Sequence, residues 1–146
     1  MDPGLLSALM GWAVVLSGLP QSIHMPNVVV VTHHRIEEIA CGGKSCQVLG
    51  WFPPGETIYL DDRLEPLDQT YSSGIVVHEL VHYLQQESAP ATPGHEYSCA
   101  TLVYRERQAY AVQRAFMTAY GSFAPIVGAT HFSGCETVIN NTRALP

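Results

Sequence analysis

The chain has 146 residues, enough for one domain with a single hydrophobic core. Hydrophobic residues make up 47% of the sequence and charged residues 14%, as expected for a globular protein with a lightly charged surface. The formal net charge is −6, and the sequence has no basic cluster that could neutralise phosphates. Both features argue against nucleic acid or an anionic membrane as a partner. We predict one domain over residues 1–146, and we expect it to be a monomer.

A hydrophobic stretch, residues 5–16, opens the chain. It is too short to span a bilayer, and Asp2 stands where a signal peptide would carry basic residues. We predict a first α-helix that packs through its apolar faces and is ended by Gly18 and Pro20. A signal sequence retained at residues 1–20 is the alternative.

Three β-strands are predicted before the middle of the chain. The β-branched run at residues 27–32 indicates a buried strand. Residues 47–52 and 56–60 flank the sequence Pro-Pro-Gly and indicate a hairpin. Together these segments predict a small three-stranded sheet.

The segment between the first strand and the hairpin predicts a short helix. Apolar residues recur at helical spacing over residues 33–40, and Gly42 and Gly43 follow as a stop signal. His33 and His34 at its start are expected to lie on the surface.

Four cysteines allow three disulfide pairings. Cys41 and Cys46 can close a small loop, which leaves Cys99 and Cys135 to tie a later helix to the C-terminal segment. The alternative, a metal site with four thiolate ligands, lacks the Cys-x-x-Cys pairs that such sites usually show. Two disulfides are favoured, and they predict an oxidising, extracytoplasmic compartment, so the protein would be secreted or periplasmic.

The apolar stretch at residues 75–84 contains the sequence His-Glu-x-x-His at positions 78–82. The pattern predicts a largely buried helix from about residue 71 or 72 to residue 86. Burying two histidines and a glutamate without partners would cost about 1–3 kcal/mol per unsatisfied polar group. A bound metal ion would remove that cost.

The positions within this motif indicate a zinc site. At 3.6 residues per turn His78 and His82 project from the same face of a helix, so their ring nitrogens can converge on one ion. Glu79 lies about 100° round the helix, beside the ion, where it can act as general base toward a metal-bound water. This arrangement is the signature of zinc metallopeptidases.

A catalytic zinc site takes a third protein ligand, and spacing restricts its source. The extended motif that ends in -x-x-Gly-x-x-His is excluded, because Gln85 and Ser88 occupy the positions it needs. Aspartate is excluded downstream, since none follows Asp68. Glu106 lies on a predicted helix over residues 98–119 that would return across the first helix, and we favour it as the third ligand.

Other assignments for the third ligand stay open. Glu106 stands between two arginines, so a surface ion pair is its alternative role. The remaining candidates are side chains that follow the motif: His95, Glu96, His131 and Glu136. His95 is the runner-up.

The paired motif resembles the gluzincin class of zinc metallopeptidases, whose ligands are His, His and Glu. The compact size is similar to that of the minigluzincins, single-domain members reduced to the catalytic core. The resemblance covers residues 5–120 and implies an α+β, zincin-like fold: an N-terminal helix, a three-stranded sheet, an active-site helix and an antiparallel glutamate helix. It also implies one catalytic Zn²⁺ held by His78, His82 and Glu106.

Tyr110 is the position that departs from the class. Gluzincins often have a carboxylate four residues after the ligand glutamate, which hydrogen-bonds a zinc-bound histidine. Tyr110 can accept that hydrogen bond, donate to the substrate oxyanion as a catalytic residue, or pack between the two helices. The tyrosine or histidine that gluzincins supply from elsewhere has four unranked candidates here: Tyr71, Tyr97, His95 and His131.

The expected activity is hydrolysis of peptide bonds, with Glu79 as general base and then general acid, and with a peptide or protein as substrate. We expect the substrate to add as a strand along a rim strand at residues 57–60, bound by Thr57, Ile58 and Tyr59. The alternative is a zinc-binding or partner-binding module that does not cleave. Zinc-dependent hydrolysis of a non-protein amide is a further rival.

Overall fold

The computed structural model describes residues 1–126. Over this range the chain is α+β, with four α-helices and one three-stranded sheet, as the sequence predicted. In chain order the elements are α1 (Pro3–Ser17), β1 (Asn27–Val31), α2 (His33–Cys41), β2 (Gly50–Trp51), β3 (Thr57–Asp61), a 3₁₀ turn (Asp62–Leu64), α3 (Thr70–Ser88) and α4 (Cys99–Ala119). The sequence predicts irregular coil over residues 122–146, and the part of that segment beyond residue 126 lies outside the described residues.

The first helix, α1, has defined signals at both ends. The Asp2 carboxylate accepts a hydrogen bond from the backbone N–H of Leu5 at 2.8 Å, which caps the helix start. Gly18 adopts the left-handed conformation at φ 70° and donates its N–H to the carbonyl of Val14, which ends the helix as predicted. No helix within residues 1–126 is long and apolar enough to cross a membrane.

The sheet has the order β1–β3–β2. β1 runs parallel to β3, which requires a crossover that α2 provides, and β2 runs antiparallel to β3 as the predicted hairpin. This order corrects the prediction that Thr57, Ile58 and Tyr59 lie on a rim strand. They belong to β3, which is the central strand and is paired with β1 along its whole length and with β2 at Tyr59 and Leu60. The strand at that edge of the sheet is β2.

The core lies between α3 and the elements packed around it. α3 is buried along most of its length and packs against α1, α4 and the sheet. Gly74 of α3 faces α4, and a Cβ atom there would lie 3.0 Å from the side-chain Cγ of Met117. The side chain of Met117 therefore occupies the space that a larger residue at position 74 would need.

A smaller cluster joins α2 to the loop before β2. A disulfide links Cys41 and Cys46, as predicted. The second predicted pair, Cys99 with Cys135, includes a residue outside the described range, and Cys99 itself is not a free thiol. The bridge fixes the start of the segment that leads into β2.

The histidines at the start of α2 differ from each other. The side chain of His34 is 80% exposed, as predicted, but that of His33 is only 25% exposed. His33 contacts the buried Asp61 through Nδ1 and the carbonyl of Cys46 through Nε2. Burial by itself raises the pKa of Asp61, but hydrogen bonds from Arg63 and His33 outweigh it and hold that pKa below its usual range. His33 thus ties the disulfide loop to β3.

Candidate metal centre

Three side chains from α3 and α4 converge at one point. The Nε2 atoms of His78 and His82 lie 3.1 Å apart. Glu106 places one carboxylate oxygen 3.3 Å from Nε2 of His78 and the other 3.0 Å from Nε2 of His82. Within the described residues this group is the one that can hold a metal ion. The structure therefore brings together the three ligands predicted from the sequence.

The spacing of these atoms fits a single divalent ion. Two atoms bound about 2.0–2.1 Å from an ion at a tetrahedral angle lie about 3.3 Å apart. The two Nε2 atoms lie 3.1 Å apart, and each contacts a different oxygen of Glu106, at 3.3 and 3.0 Å, which is close to that value. Two imidazoles and one carboxylate are also a donor set used by catalytic metal sites that keep a position open for water or substrate. The residues present fit a metal centre.

The charges of the metal-free site also indicate a place for a cation. Burial by itself lowers the pKa of His82, but its hydrogen bond to Glu106 and the attraction of that carboxylate outweigh burial and raise the pKa to about 9. Burial by itself raises the pKa of Glu106, but hydrogen bonds from His78 and His82 hold it well below its usual range. Both pKa shifts favour positive charge at the point where the three side chains meet, so a metal ion bound there would compete with the proton on His82.

Two buried glutamines orient the histidine rings. Nδ1 of His78 lies 3.0 Å from Oε1 of Gln113, and Nδ1 of His82 lies 2.9 Å from Oε1 of Gln85. A neutral imidazole that donates through Nδ1 carries its lone pair on Nε2, the nitrogen that faces the cluster. The sequence reasoning missed both glutamines. Their spacing was the available signal, since Gln85 follows His82 by three residues and Gln113 follows Glu106 by seven, both on one helix face.

Tyr110 packs against the cluster. Its ring lies edge-on to the ring of His78, with centroids 4.5 Å apart and an angle of 64° between the planes. The histidine hydrogen bond that the sequence offered as one role for Tyr110 is made by Gln113 for His78 and by Gln85 for His82. The packing role is therefore observed, and a role of Tyr110 toward substrate stays a prediction.

Glu79 lies beside the cluster beneath β2. Its side chain is buried, and burial raises its pKa, while the positive charges of His78 and His82 and a hydrogen bond from the N–H of Phe52 only partly oppose the shift. A Cβ atom at Gly50 would lie 2.8 Å from Oε1 of Glu79. The absence of a side chain at Gly50 thus allows the strand to pass directly over the carboxylate.

A groove of about 470 Å³ runs over the centre. One side is formed by residues 47–52, which we call the groove wall, and the base is formed by α3 and α4 with His78, Glu79, His82 and Glu106. Apolar atoms form most of the surface of the whole lining. The groove therefore gives the candidate centre access from solvent.

The other sequence candidates divide by their position. Tyr71 and Tyr97 line the groove, whereas His95 does not. The hydroxyl of Tyr97 donates to the carbonyl of Ala89, and its ring lies 3.7 Å from the guanidinium carbon of Arg105. Thr57, Ile58 and Tyr59 are not part of the groove lining.

Two of the alternative third ligands can be placed. His95 and Glu96 are not part of the metal-binding cluster. His131 and Glu136 lie outside the described residues. Glu106 is therefore the third group that the described part of the chain supplies.

Comparisons with known proteins do not assign a family. The chain matches no family model, and no curated protein or solved structure is significantly similar to it. The function must follow from the chemistry of the centre itself.

Proposed function

We propose that the protein is a zinc-dependent peptidase of the gluzincin type that works outside the cytoplasm. The observation that carries the proposal is the convergence of His78, His82 and Glu106 within 3.3 Å of one another, with the buried carboxylate of Glu79 beside them in an open groove. The Cys41–Cys46 disulfide supports the location, because such bonds persist in oxidising compartments.

The three convergent side chains hold the metal in this proposal. When bound, a zinc ion polarises the scissile carbonyl and lowers the pKa of a bound water toward about 7. Gln85 and Gln113 keep both imidazoles in the orientation that presents Nε2, so the ligand atoms need little rearrangement.

Glu79 moves the protons. As general base it accepts a proton from the attacking water, and as general acid it then donates that proton to the leaving amine. Its pKa is raised by burial, which brings the carboxylate closer to the pH at which one group can both accept and release a proton efficiently. The N–H of Phe52 and the close passage of Gly50 fix the position of its carboxylate.

The substrate binds along β2 in this proposal. β2 is paired with β3 on one side only, and the groove wall that contains it borders the centre. A peptide in extended conformation can add to this edge through main-chain hydrogen bonds, with its side chains against the apolar lining. This assignment replaces residues 57–60, which the sequence suggested as the rim strand and which form the central strand β3.

Tyr110 is the proposed donor to the developing oxyanion. Its position in the groove lining and its ring contact with His78 support this role. Tyr71 lines the same groove at the start of α3 and is the second choice for this role.

Metal analysis and a digest of a broad peptide library test the proposal. The purified protein should carry about one zinc per chain, and Glu79→Gln should keep the zinc but lose cleavage, because it removes the proton acceptor and leaves the ligands in place. A protein that carries zinc but whose digest equals that of Glu79→Gln would be the non-cleaving zinc-binding module instead. A protein that binds no zinc would contradict the proposal entirely.

A further inference from the structure

A chain of side-chain amides leads from His82 to the end of α1. His82 contacts Oε1 of Gln85 through Nδ1 at 2.9 Å. Nε2 of Gln85 donates to Oε1 of Gln108 at 2.9 Å, and Nε2 of Gln108 donates to the carbonyl of Ser17 at 3.3 Å. Ser17 is the last residue of α1. Three helices are thereby connected to one ring nitrogen.

Two backbone carbonyls fix the direction of every hydrogen bond in this chain. The carbonyl of Arg105 accepts from Nε2 of Gln85 at 2.9 Å, and the carbonyl of Ser17 accepts from Nε2 of Gln108. Carbonyl oxygens can only accept, so neither amide can be turned round without losing its partner. Oε1 of Gln85 must therefore face Nδ1 of His82 as an acceptor, and that nitrogen must carry the proton.

The far end of the chain is electrostatically favourable. The carbonyl of Ser17 is among the last four of α1, which lack partners within the helix. The C-terminal end of a helix carries a partial negative charge of about half a unit. The amide dipoles of Gln108 and Gln85 are aligned toward it, so each hydrogen bond strengthens the next.

We infer that Gln85 and Gln108 are positioning residues that lock His82 as a metal ligand by linking its Nδ1 to the C-terminal end of α1. The inference rests on the proposed metal centre. In this arrangement two neutral amides and a helix terminus do what a carboxylate does behind many metal-bound histidines. α1 thus contributes to the metal centre without supplying a ligand.

Zinc dissociation constants of methionine variants test the inference. Methionine keeps the length of glutamine and removes its hydrogen bonds. Gln85→Met should weaken zinc binding about 10–100-fold, as is typical when a partner of a ligand is removed. Gln108→Met should weaken it less, by about three- to tenfold, because Gln85 still accepts from His82. The double variant should bind as Gln85→Met does, since Gln108 acts only through Gln85.

Gln86→Met is the matched control. Gln86 is the next residue of α3 and makes two hydrogen bonds of 2.8 Å, both to the backbone of Gly55. The Gln86→Met variant should have a zinc dissociation constant within about twofold of that of the wild type, because neither hydrogen bond of Gln86 reaches a metal ligand. Melting curves of all variants check that each is folded.

A proton readout separates positioning from packing. In the zinc-bound wild type the Nδ1 proton of His82 should exchange slowly with water in NMR spectra. That exchange should be faster in Gln108→Met, although Gln108 does not touch His82 directly in the chain of hydrogen bonds. A purely structural role for Gln108 would leave the exchange unchanged.

The outcomes distinguish this inference from the proposed function. If the wild type binds zinc and the Gln85→Met and Gln108→Met variants bind it equally tightly, the inference is wrong and the peptidase proposal stands. If Gln86→Met weakens binding as much as Gln85→Met, the effect is not specific to the chain of amides and the inference also fails. If the wild type binds no zinc, the proposed function fails first.

Discussion

The two sides of the groove are built differently. The metal ligands come from α3 and α4, two long helices that pack closely at Gly74 and share a buried core. The groove wall, residues 47–52, contains a strand of only two paired residues and is attached at its start by the Cys41–Cys46 bridge and by the contact of His33 with the carbonyl of Cys46. In the proposed function, the closely packed helices hold the metal, whereas the lightly paired strand contacts the substrate.

This comparison predicts that changes divide into two groups. Substitutions of the candidate ligands on the two helices, or of the glutamines that contact the histidines, should alter metal binding. Substitutions in the groove wall should alter cleavage and substrate affinity while zinc binding is maintained. A groove-wall variant that weakens zinc binding would contradict this comparison.

The largest effect is expected for the glutamate ligand. Glu106→Gln removes the one negative charge among the three ligands, so zinc affinity should fall by more than the roughly 10–100-fold typical of groups outside the ligand set. Competition with a chromophoric chelator measures the zinc affinity of each variant. His95→Ala is the control and should bind zinc as the wild type does. Zinc that survives in Glu106→Gln but is lost in His95→Ala would contradict the ligand assignment.

The pH dependence of zinc binding should follow the proton on His82. Its pKa is raised to about 9, so below that pH zinc must displace a proton, and apparent affinity should rise by up to about tenfold per pH unit between pH 6 and 8. In the metal-free protein the same proton stabilises the fold below about pH 6.5, and this stabilisation is lost as the pH rises through about 9. Titrations at several pH values test this. Zinc affinity that does not change with pH would contradict it.

Gly50→Ala tests the contact between the groove wall and Glu79. The added Cβ would lie 2.8 Å from Oε1 of Glu79 and 3.0 Å from Cγ2 of Ile75, so we expect a loss of about 1–3 kcal/mol in the free energy of unfolding. Cleavage should fall by about tenfold or more, because the base is displaced, while zinc affinity stays near that of the wild type. Gly11→Ala is the control, since a Cβ there meets nothing within 4 Å. Unchanged cleavage in Gly50→Ala would show that the strand does not position Glu79.

The smallest effect is expected for the Cys41–Cys46 bridge. Replacing both cysteines by serine opens a short loop and should cost about 2 kcal/mol of stability. The KM for peptide should rise, because the start of the groove wall is released, and zinc affinity should not change. Serine replacement isolates this bridge better than reduction does, since Cys99 is not a free thiol either. Weaker zinc binding in this variant would mean that the two sides are coupled.

Local periodicity was enough to predict the helix pair. The spacing of His78 and His82 places them on one face. Exclusion by spacing left five candidates for the third ligand, and Glu106 was favoured because its predicted helix would return across the first. The order of the strands in the sheet was harder to predict. It depends on where the crossover from β1 returns to the sheet, and the residues of β3 do not show that β1 pairs beside them. His33 was misjudged for a related reason. Its partner Asp61 is 28 residues away in sequence.

The glutamines show a further limit of local patterns. Gln85 and Gln113 belong to no sequence motif, and their spacing places each of them on a ligand-bearing helix face without showing that the amide reaches a histidine ring. Their role depends on the packing of α3 against α4, which fixes both amides relative to the rings. The resemblance to gluzincins gave an expectation for position 110, and the chain uses other positions instead.

Because the Nδ1 atoms of both histidines contact neutral amides, few groups determine the net charge of the centre. With one divalent ion bound, as proposed, and with Glu79 ionised as the general base, the charges of the ion and of the carboxylates of Glu106 and Glu79 would sum to zero. A centre without net charge can be covered by a peptide without burying a counter-ion, which suits the mostly apolar lining of the groove. A carboxylate in place of either glutamine would leave an unbalanced negative charge beneath the substrate.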